Sequence, residues 1–155
     1  KIPGTEVDIQ EPKATFSAGF GAPFLVWPPA KYAELLAQKM NRHQSKAWLV
    51  NTGWAGGDFN SGRRISIKHT RAILDAIHSG AFEKAEYRED PIFGLAVPTS
   101  CPKVPSEILW PRDTWKDPKA YDEKARSLAS RFQQNFKTAG ENASPEVSRA
   151  APKVT

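Results

Sequence analysis

The stretch WAGGDFNSGRRISIKHT (residues 54–70) decides how this chain is read. Gly57 and Gly62 bracket four residues, the spacing of a Walker A phosphate loop, but Arg63 and Arg64 stand where that loop needs a lysine and a hydroxyl. A Walker lysine reaches the terminal phosphates and the hydroxyl holds magnesium. A guanidinium is too large to replace the ammonium inside a tight loop, and Arg64 has no hydroxyl. What remains available is anion attraction by backbone amides at a helix entrance, forked hydrogen bonds from two arginines, and stacking of a guanidinium on a purine ring. On residue types alone a glycine-rich surface turn with a solvated arginine pair stays equally open.

On the N-terminal side, AWLVNTGW (residues 47–54) reads as a buried strand, because Trp48, Leu49 and Val50 form a continuous apolar run. On the C-terminal side a helix begins at Ser66, a good N-cap, and stops at Gly80, with Ile67, Thr70, Leu74 and Ile77 on one face. Strand, glycine-rich loop and helix is the first half of a nucleotide-binding unit. One confident strand does not make a sheet.

Further out, the lead-in KIPGTEVDIQEPKAT has no helical periodicity and reads as loop, and FSAGFGAPFLV reads as a loop or short strand. Pro28 and Pro29 start a helix to about His43, with Tyr32, Leu35, Leu36 and Met40 on one stripe. PIFGLAVPTS holds a short strand broken by Gly94. CPKVPSEILWPRDTW is a proline-rich connection draped over the core by Ile108, Leu109 and Trp110. Asp117-Pro118 caps a long helix to about Thr138, stopped by Gly140, whose stripe is Tyr121, Ala125, Leu128, Phe132 and Phe136. A polar, frayed tail follows (141–155).

The 155 residues suffice for one domain, with 39% hydrophobic and 25% charged residues. The net charge of +5 favours anionic partners without naming them. The single Cys101 excludes an internal disulfide and a multi-cysteine metal site, reads as a loop thiol, and points to the reducing cytosol. No apolar run reaches membrane-spanning length, and the first residues do not read as a signal peptide. His43, His69 and His78 have no metal-ligand spacing; His69 and His78 read as surface histidines on the solvent side of their helix. No pair of acids is placed for acid–base work. The basic balance and five tryptophans leave room for a non-catalytic nucleotide- or nucleic-acid-binding module, although Trp48, Trp54 and Trp110 sit in apolar or turn settings rather than among lysines.

Four segments, TFSAGFGAPF, LVNTGWAG, GRRISIKHTRAILDAI and PIFGLAVPT, resemble in order the C-terminal part of the ATP-dependent phosphoenolpyruvate carboxykinases, over about Gly4 to Lys137 and most specifically from Asn51 to Ile77. The resemblance implies an α/β fold, part of the mixed α/β C-terminal nucleotide-binding domain, over residues 1–140. It implies an enzyme of gluconeogenesis that decarboxylates oxaloacetate to an enolate, whose oxygen attacks the ATP γ-phosphate to give phosphoenolpyruvate, ADP and carbon dioxide. The ATP contacts carried over are Arg64, the backbone of Ile65, and Thr70, approaching from the side of base and sugar; for Thr70 the local reading is a hydroxyl bonded back into its own helix. The divalent metal (Mg or Mn), the lysine loop and the oxaloacetate-binding arginines are expected in the N-terminal part of the same enzyme, so this segment alone is expected to be inactive. The expected partners are ATP, oxaloacetate and that N-terminal part, in the cytoplasm, with neither nucleic acid nor membrane. One departure stands out: Gly19 occupies a position where the family often has cysteine.

Overall fold

The computed structural model describes residues 15–16, 22–57, 60–140 and 143–154. The chain separates into two contact units, residues 1–48 with 134–149, and residues 49–133 with 150–155. The expectations for residues 1–14 and 17–21 lie outside the described residues; within FSAGFGAPFLV, Ala22–Phe24 is a short 3-10 turn.

In the first unit, α1 spans Pro29–His43. Pro29 supplies a preset φ at the first helical position, where no amide partner is needed. The Tyr32 hydroxyl accepts from the backbone N–H groups of Val26 (3.2 Å) and Trp27 (3.4 Å), folding residues 26 and 27 onto the first turn. Gln44, in the left-handed region at φ 52°, ends the helix. Of its apolar stripe, Tyr32 and Met40 are half-buried, while Leu35 and Leu36 are exposed.

The second unit begins with β1 (Trp54–Ala55) and β2 (Arg63–Arg64), an antiparallel pair in the register Trp54↔Arg64 and Ala55↔Arg63. The glycine-rich stretch is therefore a hairpin, and not a loop leading from a strand into a helix. The buried strand expected over 47–54 does not form: residues 45–53 carry no strand, and Leu49 is 85% exposed. A strand buried on both faces needs paired neighbours, and the two sheets found among the described residues have two strands each.

α2 spans Ile67–His78. Ser66 caps it as expected, its Oγ accepting from the His69 N–H at 3.2 Å. Gly80, at φ 72°, turns the chain out into a 3-10 turn over Ala81–Lys84. The inward side of α2 is centred on Ala76, whereas Ile67 is 71% exposed.

β3 (Tyr87–Glu89) and β4 (Ala96–Pro98) pair antiparallel across a turn in which Asp90 Oδ1 accepts from the Ile92 and Phe93 N–H groups at 2.9 and 2.7 Å. β4 is the strand expected in PIFGLAVPTS, but Gly94 lies in the turn ahead of it and does not break it; nothing in the sequence marks β3. The proline-rich connection folds into α3 (Ser106–Leu109) and a 3-10 turn over Pro111–Thr114. Trp110 between them is buried, with the Arg88 guanidinium 3.8 Å from its ring centroid.

α4 spans Pro118–Ala139, its start held by Asp117 Oδ1 accepting from the Lys119 N–H at 2.9 Å. Its closest-packed positions are Ala125 and Ala129, not Leu128 and Phe132, which are both exposed. Alanines let a helix approach its neighbours closely, and Ala129 lies outside the apolar stripe read from the sequence. α5 follows over Pro145–Arg149. The tail does not fray at its end: the Lys153 N–H donates to the Ile92 carbonyl at 2.7 Å, and Gln133 Nε2 donates to the Pro152 carbonyl at 2.7 Å.

Among the described residues the buried core is Ala76, Phe82, Cys101, Val104, Trp110, Ala125 and Ala129. All lie in the second unit. No helix among the described residues is long and apolar enough to cross a membrane.

Candidate functional site

The β1–β2 hairpin, the start of α2, and the segment 107–114 enclose a cleft of about 460 Å³. Arg63, Arg64, Ile65 and Ser66 line one side with His69, while Glu107, Ile108, Asp113 and Thr114 line the other. Two arginines and two carboxylates line it, so apart from His69 its formal charges cancel.

Arg64 lies directly across the ladder from Trp54, and its guanidinium sits 5.4 Å from the indole centroid. That separation is within the range of cation–π attraction. The flat group is thus held against an aromatic face while the residue remains exposed. The Ile65 N–H donates to the Gly53 carbonyl at 2.9 Å, extending the ladder by one bond. Its N–H is therefore committed, and a ligand's hydrogen bond to this residue's backbone falls to its carbonyl. Thr70 does not line the cleft. It is half-buried one turn into α2, and its N–H donates to the Ser66 carbonyl at 3.0 Å. The structure thus brings Arg64 and Ile65 to one cleft and leaves Thr70 beside it. His69, expected on the solvent side, is half-buried and faces the cleft; His78 is exposed as expected.

The far wall was not legible locally. Thr114 Oγ1 accepts from the Gly56 N–H at 2.8 Å and donates to the Pro111 carbonyl at 2.6 Å. In the same turn Arg112 grips Asp122 of α4 with two hydrogen bonds, Nε to Oδ1 at 2.8 Å and Nη2 to Oδ2 at 3.1 Å. The bond with Arg112 holds the Asp122 carboxyl below the usual carboxylate range and pushes the guanidinium further up. These contacts join residues 10 and 58 positions apart, a separation no local motif reports.

Among the described residues no three side chains of His, Cys, Asp or Glu come together as a metal site.

The family model for phosphoenolpyruvate carboxykinase matches residues 1–107. The chain is 53% identical over 154 residues to phosphoenolpyruvate carboxykinase (ATP) 2 of Salinibacter ruber, covering 99% of this chain and 29% of that protein. It is 51% identical to phosphoenolpyruvate carboxykinase (ATP) of Dictyostelium discoideum, covering 98% of this chain and 27% of the relative. The same identity, 51%, holds against the enzyme of that name from Candida albicans, over 99% of this chain and 28% of the relative. The chain therefore spans less than a third of the length of these relatives.

Proposed function

This chain belongs to the family of ATP-dependent phosphoenolpyruvate carboxykinases, and we propose that it forms one wall of the ATP site of such an enzyme. The whole enzyme would convert oxaloacetate and ATP to phosphoenolpyruvate, ADP and carbon dioxide, a reaction of gluconeogenesis, in the cytoplasm. The C–C bond to the departing carboxyl breaks, its electron pair stays behind as an enolate, and the enolate oxygen takes the γ-phosphoryl group as ADP leaves. The divalent metal and the groups that hold the triphosphate and oxaloacetate belong, in this proposal, to the remaining part of the enzyme.

The observation that carries the reading is the balanced charge of the cleft beside Arg64. A triphosphate brings several negative charges and finds no net attraction here, because Glu107 and Asp113 offset Arg63 and Arg64. A nucleoside is neutral. Its ribose hydroxyls donate to carboxylates, its base presents a flat face to a guanidinium, and an exocyclic amine donates to a backbone carbonyl such as that of Ile65. Base and sugar therefore face this wall, and the phosphates lie away from it. Arg64 and Ile65 are the principal contacts; Thr70, outside the cleft lining, is retained as a weaker one.

Alongside stacking, the Arg64 guanidinium donates to acceptors on the base or sugar, and a hydrogen bond to a charged group contributes roughly 1.5–3 kcal/mol. Arg64→Ala in the whole enzyme is accordingly expected to raise the KM for ATP by about ten- to a hundredfold. An unchanged KM for ATP removes Arg64 from the site.

A further inference from the structure

We propose that Thr114 is a positioning residue for the nucleotide wall, acting as the peg that sets where the Arg64 hairpin sits. The inference rests on the reading of Arg64 and Ile65 as nucleotide contacts and adds a residue to it.

The β1–β2 ladder pairs two residues on each strand, with one further bond from Ile65 to Gly53. A two-stranded ribbon this short does not hold its place unaided. At its loop end, Gly56 follows β1 directly and donates its N–H to Thr114 Oγ1 at 2.8 Å. The hydroxyl has one proton, and it is spent on the Pro111 carbonyl at 2.6 Å. Oγ1 accepts from Gly56 through a lone pair while its proton goes to Pro111, so one hydroxyl joins the two backbones and its removal takes away both bonds. The two backbones also approach closely. Gly56 lies at φ 79°, and a Cβ there would stand 2.9 Å from the Thr114 carbonyl oxygen.

The turn that carries Thr114 is itself fastened. Arg112, two residues earlier, holds Asp122 on α4 through a two-pronged ion pair. A connected path therefore runs from α4 through Asp122, Arg112, Thr114 and Gly56 to Ala55 and Trp54, the residues that pair with Arg63 and Arg64. Removing the Thr114 hydroxyl frees the loop end of the hairpin. The guanidinium and the Ile65 carbonyl then lose a fixed position before ATP arrives, and the nucleotide must order them on binding.

The test uses the whole enzyme. Thr114→Val, which keeps the shape without the hydroxyl, is expected to raise the KM for ATP about three- to tenfold, with kcat and the KM for oxaloacetate within about twofold of the parent. Thr114→Ser, which keeps the hydroxyl, should bring the KM for ATP back to within about twofold. Gly56→Ala, which pushes the hairpin and the Thr114 backbone apart while keeping the Thr114 hydroxyl, should raise the KM for ATP as Thr114→Val does; assays are run well below each variant's thermal midpoint. An unchanged KM for ATP in Thr114→Val, alongside a raised one in Arg64→Ala, overturns the positioning role and leaves the nucleotide wall standing. An unchanged KM in Arg64→Ala overturns both. If Thr114→Val does not fold, Gly56→Ala and Thr114→Ser decide the matter: parental KM for ATP in the first, or a raised KM in the second, overturns the proposal.

Discussion

Gly56 and Gly94 both lie in the left-handed region, at φ 79° and 64°, but their surroundings differ. A Cβ on Gly94 would meet nothing within 4 Å, whereas one on Gly56 would press on the Thr114 carbonyl oxygen at 2.9 Å. Gly94→Ala therefore carries only the left-handed backbone term, about 1–2 kcal/mol. Gly56→Ala carries that term together with displacement of a backbone that cannot rotate away as a side chain would. Thermal unfolding of the two variants should show the larger loss for Gly56→Ala; equal losses would mean that the hairpin and the Pro111–Thr114 turn are not tightly opposed. At position 64 the side-chain type matters for a related reason. Stacking against Trp54 at 5.4 Å uses the planar guanidinium, and the compact ammonium of a lysine has no flat face with which to repeat it.

Between elements, the decisive connection is the ion pair from Arg112 to Asp122, which ties the 3-10 turn to α4. Hydrogen bonds from Arg112 lower the Asp122 carboxyl below its ordinary value. A depressed folded-state value means that the pair's contribution is present above the unfolded value, about 4, and is lost as pH falls through the folded value. Asp122→Asn removes that term. The variant should therefore lie closest to the parent in thermal midpoint at the lowest pH and fall furthest below it above about pH 5; a pH-independent difference would show that the pair does not titrate with folding. No reading of the sequence reached this pair. Helix ends were legible because their signals are local: Ser66 caps within three residues, and Pro29, Asp117 and Gly80 each act within a turn. Strands were less so. β1 and β2 have two residues each, too short to show alternation, and Tyr87–Glu89 is exposed throughout, so no buried face marks it. Arg64 and Ile65 are named through the family resemblance, whose most specific segment contains them. Thr114 could not be named from sequence, because only folding brings it to Gly56. His69 lines the cleft because a residue in the first turn of a helix faces whatever the preceding loop builds there, which helical spacing does not report.

Over the whole molecule, apolar side chains lie open in both units. Val26 is 88% and Trp27 64% exposed in one; Leu49 is 85% and Ile67 71% exposed in the other. The chain spans 27–29% of the length of its relatives, and in our proposal the remaining polypeptide covers these side chains. Fully burying a Leu or Val side chain contributes roughly 1.5–3 kcal/mol. Leu49→Ser should therefore behave in opposite ways in two settings. In the segment produced alone, the residue is already in water, so the substitution should leave the thermal midpoint near its parental value while lowering dye binding to exposed apolar surface and self-association. In the whole enzyme the same substitution should lower the thermal midpoint, because it removes burial that exists only there. Calorimetry and light scattering on the two pairs of proteins measure both effects. A Leu49→Ser loss of the same size in segment and whole enzyme would mean that position 49 meets no further polypeptide, and that the apolar run Trp48-Leu49-Val50 is not a strand completed by the rest of the enzyme.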